Sequence, residues 1–303
     1  MKLVFLGTGA FALPAIDSLK DHIHLVVTQP DRPSGRGMKT HPAPAKLKAM
    51  ELGIPFETPI KARAPEFVES LEAMRPDALV VASYGQILSQ RLLDSAIRGG
   101  INLHGSILPK YRGAAPIQRC IQNHDQETGV TLMQMDKGMD TGDIIHIETC
   151  PIGVDETYGE LQERLAIIAA QLASDWLPRI CAGDYDRIPQ NDAEATYANK
   201  IEKWECELDT RQPAQKEYAK FRAFTPVPGA FVKTKFGLLR VSAARLGTMQ
   251  GPPGVVMGID SGCEVAFGDQ SIRLLEVQPE GKKRMSGRDF ANGMRIKPGM
   301  HLI

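Results

Sequence analysis

Residues 101 to 118, INLHGSILPKYRGAAPIQ, hold the densest run of chemically capable side chains in the 303-residue sequence. Asn102 and His104 stand two apart at the end of an apolar run. On a strand, that spacing sends both side chains to one face. A second polar stretch, MDKGMDTGD at 135 to 143, supplies Asp136 and Asp140. Taken singly, each has a plain reading: an Asn and a His at a strand end form a satisfied turn, and Asp is a common turn residue. Brought together they could perform acyl transfer. The amide would donate to a developing oxyanion, the imidazole would handle charge or a proton, and a carboxylate would orient the imidazole. Ser106 lacks a G-x-S-x-G elbow, and Cys120 and Cys150 have no clear base partner in the sequence. The nucleophile would then belong to the substrate.

Such a set has to be carried by rigid elements. The first half of the chain alternates short apolar strands (LVFLG, HLVVTQ, IPFET, ALVVAS, GGINLHG) with helical patterns over roughly 12–20, 43–52, 65–74 and 89–96. Repeated βα units with nearly all-apolar strands predict a parallel sheet covered on both faces, and sites in such sheets lie beyond the carboxyl ends of the strands. GVTLMQM and DIIHIETCPI read as a hairpin, and 158–180 as one long amphipathic helix. The expected architecture is α/β: a Rossmann-like catalytic domain over 1–188, a polar linker or surface-hugging segment over 189–207, and a smaller all-β, OB-like barrel over 208–303.

Charge separates the two ends. Residues 208–303 carry 15 Lys and Arg against 8 Asp and Glu, a net +7, and residues 1–207 carry 21 against 28, a net −7. A basic appendage on an acidic body points to an anionic partner. Another concentration of charge is PDRPSGRGMKTHPAP, far longer than an ordinary βα loop, with Arg32, Arg36 and Lys39 among prolines and glycines. It reads either as a solvated loop or as an arm that contacts phosphates.

Five scattered cysteines, Cys120, Cys150, Cys181, Cys206 and Cys263, lack the spacing of a zinc site or a disulfide framework. They fit reduced thiols in a cytoplasmic protein without a metal. The start imitates a secretory signal, but paired glycines and Pro14 interrupt its apolar stretch. No uninterrupted apolar run approaches the roughly 18 residues of a membrane span. The expectation is a cytoplasmic protein with no membrane segment; it is taken as a monomer, although nothing in the sequence reveals the oligomeric state.

The opening LVFLGTGAFA also matches G-x-G-x-x-A, with Asp31 about where a ribose-binding acid would stand. A nicotinamide dehydrogenase is thus a rival reading. Against it, Asp31 lies between Pro30 and Arg32 at the mouth of the basic loop, a poor place for a strand-end acid. The glycines then serve as a tight turn.

NLHGSILPKYRGAAPIQ together with MDKGMDTGD resembles the signature of the folate-dependent formyltransferases, and RGAAPIQ is similar to the branch that acts on methionyl-tRNA. The similarity extends through TQPDRPSGRG, VVASYGQIL, ETGVTLMQMD, TYANKI and QPEGKKRMSGRDF, and so spans nearly the whole chain. Two positions depart from the pattern: Ile107 replaces a usual Leu, and Thr210 follows Asp209 where Trp is common. The resemblance implies formyl transfer from 10-formyltetrahydrofolate to the α-amino group of initiator methionyl-tRNA. It gives Asn102, His104 and Asp140 the catalytic roles, and has Ser106, Ile107, Leu108 and Pro109 line the folate site. Tyr84, Gly85 and Leu88 would add a pterin slot. Arg32, Arg36 and Lys39 would face tRNA, and Phe11 would help to pocket the methionyl side chain. Two other readings use the same residues: a folate-dependent transfer to a small-molecule amine, and an RNA-binding folate sensor without catalysis.

Overall fold

The computed structural model describes residues 1–34 and 39–303. The chain folds into two compact units, one of residues 1–116, 127–151 and 162–199, the other of residues 117–126, 152–161 and 200–303.

The first unit is built on a seven-stranded sheet. Its strands are β1 (Leu3–Gly7), β2 (Ile23–Val27), β5 (Phe56–Glu57), β6 (Ala78–Ala82), β7 (Gly100–His104), β9 (Glu127–Gln134) and β10 (Ile144–Pro151), in the order β10-β9-β7-β6-β1-β2-β5. The first five in chain order run parallel; β9 and β10 are antiparallel and form the expected hairpin. Helices α1 (Leu13–Leu19), α2 (Pro44–Leu52), α3 (Pro65–Met74) and α4 (Gln90–Leu93) connect the parallel strands. Their boundaries follow local chemistry. Pro44 and Pro65 occupy first-turn positions where a missing N–H costs nothing, Gly53 ends α2 in the left-handed region (φ 67°), and the Ser89 hydroxyl caps α4.

Alternation along the strands sends Val4, Leu6, Leu25, Val27, Leu79 and Val81 to one face, against Phe67, Val68 and Leu71 of α3 and Leu92 and Leu93 of α4. Leu3, Phe5, Val26 and Val80 are buried on the other side. Burial on both faces is why these strands read as unbroken apolar runs.

The long βα connection contains a short antiparallel ladder, β3 (Arg32–Ser34) with β4 (Lys39–His41), instead of irregular chain. Arg36 lies outside the described residues, and of Arg32 and Lys39 only the backbone is described.

Helix α5 (Pro116–Gln122) follows the RGAA motif, and α6 (Tyr158–Ala182) is the long helix read from the sequence. Among the described residues, α6 is the helix whose length and composition would allow a membrane span. Its buried stripe, Leu161, Leu165, Ala169, Ala173, Leu177 and Ile180, recurs at helical spacing, while Glu163 and Asp175 are exposed. That pattern belongs to an amphipathic helix on a core.

The second unit carries the curled, open antiparallel half-barrel β12 (Phe231–Thr234), β13 (Gly237–Gly247), β16 (Ser271–Pro279), β15 (Cys263–Ala266) and β14 (Val256–Gly258), in that order, with β17 (Met285–Ser286) paired to β16. Two helices depart from the all-β expectation: α7 (Ala214–Phe224), packed on β13 and β16, and α8 (Gly287–Gly293), capped by the Ser286 hydroxyl. Their apolar residues Tyr218, Phe221 and Phe290 complete the core of the half-barrel with Val232, Val241, Phe267 and Leu274.

Candidate active site

Strand β7 ends in Asn102 and His104, buried to 8% and 6% exposure, and the antiparallel neighbour β9 sets Met133 and Thr131 opposite them. The β9–β10 connection brings in the carboxylate. Asp140 Oδ1 accepts from Asn102 Nδ2 at 3.4 Å, and Oδ2 lies 3.6 Å from His104 Nδ1. Oδ2 also accepts the Gly113 N–H at 2.8 Å. The other imidazole nitrogen, Nε2, lies 3.0 Å from the Tyr111 carbonyl, which can only accept, so this nitrogen carries a hydrogen. One ring edge is thereby tied to the main chain and the other faces a carboxylate.

Geometry separates the two aspartates that the sequence left equivalent. Asp136 is consumed within its own turn, accepting from the Gly138 N–H (2.9 Å) and the Thr141 hydroxyl (2.7 Å). Asp140, at φ 55°, turns its carboxylate to the Asn and His. The same connection requires a glycine at 142, where a Cβ would fall 1.8 Å from the Gln134 carbonyl oxygen.

The SILP segment leaves β7 and folds on itself. Ser106, fully buried, donates to the Lys110 carbonyl (2.7 Å), and the buried Thr131 hydroxyl donates to the Ser106 carbonyl (2.6 Å) while accepting the Leu108 N–H (3.1 Å). Ser106 and Leu108 thus build the turn, and Ile107 and Pro109 are its partly exposed members.

Tyr84 and Leu88 belong to the core beside Phe67 and Leu71. The Tyr84 side chain is 2% exposed, and burial pushes its phenol up to about 12. What this segment offers at the sheet edge is main chain: the Tyr84 carbonyl accepts from Thr8 Oγ1 (2.9 Å) and Gln29 Nε2 (2.8 Å), and Gly85 adopts φ 80°. Phe11, 4% exposed on the turn before α1, is also enclosed. The glycine motif therefore ties strand ends together. At Gly7 a Cβ would come within 2.8 Å of the Ala12 Cβ, and Thr8 links the ends of β1 and β6. Asp31, the would-be ribose acid, is ion-paired to Lys46 at 2.7 Å.

Several supporting residues were not singled out from the sequence. Arg112 is 1% exposed and directs its guanidinium to Gln190 and Asp192; Thr196 Oγ1 accepts the Tyr111 N–H at 2.9 Å. The strand β11 (Tyr197–Ala198) pairs in parallel with β8 (Arg112–Gly113). Residues 189–199, expected as linker, thus lie against the segment that carries the site's Gly113 and Tyr111. None of the five cysteines forms a disulfide, and no group of three or more His, Cys, Asp or Glu side chains is gathered for a metal among the described residues.

An Asn, a His and an Asp converge at the carboxyl end of a parallel strand, with no Ser or Cys nucleophile among them. Such an arrangement can serve acyl transfer in which the attacking atom arrives with the substrate. Comparison with known proteins gives this class a family: the chain belongs to the formyl transferases, whose N-terminal description, Formyl transferase, matches residues 1–177 and whose C-terminal domain matches residues 200–295. It is similar over its length to the methionyl-tRNA formyltransferase of Geobacter metallireducens, 42% identical over 306 residues covering 100% of this chain and 98% of the relative. The methionyl-tRNA formyltransferase of Symbiobacterium thermophilum is 42% identical over 307 residues, 99% of this chain and 94% of the relative. Among solved structures, the N-formyltransferase of Helicobacter canadensis in complex with folinic acid and dTDP-3-aminofucose shares the fold (TM-score 0.66, 19% identity, 90% of this chain, 98% of that one). So does HypX of Aquifex aeolicus in complex with tetrahydrofolic acid (TM-score 0.69, 16% identity, 96% of this chain, 47% of that one).

Proposed function

We propose that this protein transfers the formyl group of 10-formyltetrahydrofolate to the α-amino group of initiator methionyl-tRNA, acting in the cytoplasm as a monomer without metal or membrane. The observation that carries the reading is the convergence of Asn102 and His104 on the Asp140 carboxylate, at 3.4 and 3.6 Å. Full-length relatives named methionyl-tRNA formyltransferase support the choice of acceptor.

The neutral substrate amine attacks the formyl carbon. A nitrogen–carbon bond forms, the bond to folate N10 breaks, and the proton released by the amine goes to N10. Charge develops on the formyl oxygen between these steps. Asn102 Nδ2, through the hydrogen not given to Asp140, and the His104 ring, by turning its Nε2–H from the Tyr111 carbonyl to the formyl oxygen, are the donors that stabilise it, and Asp140 holds the imidazole and relays the proton, through water where distance requires. The contacts of 3.4 and 3.6 Å suit an unliganded site, whose catalytic hydrogen bonds tighten when substrate is bound. Ser106, Ile107, Leu108 and Pro109 form the folate wall with the main chain of Tyr84, Gly85 and Leu88. Arg32, Arg36 and Lys39 engage tRNA phosphates together with the basic second unit, and Phe11 backs the methionyl site.

Removing one oxyanion donor costs roughly 100- to 1,000-fold in rate. Asn102→Ala is expected to lose turnover on that scale while folate binding changes little; near-normal turnover removes Asn102 from the role. Labelled formyl transfer to methionyl-tRNA, free methionine and an amino-sugar nucleotide, run side by side, identifies the acceptor. A preference for the sugar would transfer the assignment to a small-amine enzyme.

A further inference from the structure

We propose that Gln190 and Arg112 are positioning residues: they form a ring of contacts that fixes where the Asp140 carboxylate stands against His104. The proposal rests on Asp140 acting in the transfer, as argued above, and adds how the fold holds it there.

Asp140 sits at φ 55°, a left-handed conformation that Asp tolerates better than most non-glycine residues and that its hydrogen-bond partners hold here. Its main chain and its side chain are gripped separately. Gln190 Nε2 donates to the Asp140 carbonyl at 2.9 Å and to the Gly142 carbonyl at 2.7 Å. The other end of the same amide, Oε1, accepts from Arg112 Nε at 3.1 Å and Nη2 at 2.8 Å. This surrounds each end of the Gln190 amide with partners of one kind, two acceptors for the nitrogen and one guanidinium for the oxygen, so the amide can satisfy them in one orientation only.

Arg112 is enclosed in the fold, and Asp192 Oδ1 takes a further hydrogen bond from Nη2 at 2.8 Å. The residue after it, Gly113, gives its N–H to Asp140 Oδ2 at 2.8 Å. The circuit therefore closes: Arg112 side chain to Gln190, Gln190 to the Asp140 main chain, Asp140 carboxylate to the Gly113 N–H, and one peptide bond back to Arg112. The pairing of β8 with β11 sets the approach, with Gly113 at φ 121° and a Cβ there only 2.9 Å from the Ala198 carbonyl oxygen. Neither Gln190 nor Arg112 lies within hydrogen-bond distance of Asn102 or His104 in these contacts; both act through Asp140. Displacing a catalytic group by about 1 Å can cost on the order of 100-fold in rate. The ring is what prevents that displacement.

Two variants and one background test this. Gln190→Met removes every hydrogen bond of the amide. Gln190→Glu keeps an acceptor, now charged, for Arg112 but replaces the donor to the two loop carbonyls. With methionyl-tRNA and 10-formyltetrahydrofolate, both variants are expected to lose about 10- to 100-fold in kcat with both KM values held within about threefold. In an Asp140→Asn background, the further loss caused by Gln190→Met should shrink to less than about threefold, because the carboxylate being positioned is already gone. Wild-type kcat in Gln190→Met overturns the proposal. So does an undiminished, multiplicative loss in the Asp140→Asn background, the signature of a general structural role. Where Gln190→Met fails to fold, the Glu variant decides: a folded protein with wild-type kcat overturns the ring, and one with the kcat-specific loss supports it. Normal turnover by Asp140→Asn alone overturns the catalytic reading of Asp140 itself, and is distinguishable from an impaired Asp140→Asn beside an unaffected Gln190→Met.

Discussion

Thr131→Val changes one oxygen atom into a methyl group at a position with no solvent access. The hydroxyl holds two main-chain groups of the SILP turn, donating to the Ser106 carbonyl at 2.6 Å and accepting from the Leu108 N–H at 3.1 Å. Valine fills the space but leaves both groups buried and unpaired, at about 1–3 kcal/mol each. Because valine brings no hydroxyl needing a partner of its own, a net loss of about 3 kcal/mol is the working figure. For a cooperative unit of roughly 150–250 residues, that corresponds to a fall in Tm of about 6–12 °C by calorimetry. Thr131→Ser is the control. It keeps both hydrogen bonds and loses one methyl, costing about 1 kcal/mol and roughly 2–4 °C. The functional readout is the KM for 10-formyltetrahydrofolate, expected to rise in the Val variant and hold in the Ser variant, since the turn proposed to face folate has lost its anchor. If Thr131→Val melts no lower than Thr131→Ser, the hydroxyl does not hold the turn and the argument is wrong.

Phe11→Ala, at an enclosed position, should cost about 3–5 kcal/mol of stability; unchanged discrimination between methionyl-tRNA and other aminoacyl-tRNAs in that variant would leave Phe11 a core residue and end its assignment to a methionyl pocket. Arg36→Ala should weaken tRNA use and reduce the salt slope by about one, as expected on losing one phosphate contact, with folate affinity unmoved; kinetics unchanged across salt would dismiss the basic arm. In the second unit, the Arg119 guanidinium grips the Glu205 carboxylate (2.7 and 3.1 Å) and holds its carboxyl below the ordinary value near 4.5. This stabilisation is complete above that value and is lost as pH falls through the depressed folded one. The Tm gap between wild type and Glu205→Gln should therefore be full at neutral pH and close in acid; a gap that stays constant would deny the link.

The site was partly legible because strand periodicity is a local property. Asn102 and His104 two residues apart on an apolar strand had to share a face. Asp136 and Asp140 could not be told apart by composition or spacing, since the difference lies in which one spends its oxygens on Gly138 and Thr141. Gln190 gave no local signal at all: its partner Arg112 is 78 residues away in the chain. Helix α7 escaped notice for another reason. Its inward face includes Glu217, which accepts from the Asp209 N–H and pairs with Lys220, and Arg222, which donates to the carbonyls of Gly153 and Glu156. Buried charged side chains, here partnered in part by residues outside the helix, break the apolar stripe by which a helix is read. The opening glycine run posed the opposite ambiguity, because a tight turn and a phosphate cradle demand the same absence of side chain, and only the misplaced Asp31 favoured the turn.

The pairing of β11 with β8 bears on how this protein could be taken apart or recombined. A catalytic fragment ended at residue 188 keeps every strand of the large sheet yet discards Gln190, Asp192, Thr196 and Ala198, leaving Arg112 enclosed with its two side-chain partners removed. Ending at residue 199 retains them all. A fragment that keeps this support, together with residues 117–126 and 152–161 of the second unit, therefore ends at the peptide bond between Asn199 and Lys200, and one ended ten residues earlier inherits an intact sheet with a disarmed carboxylate.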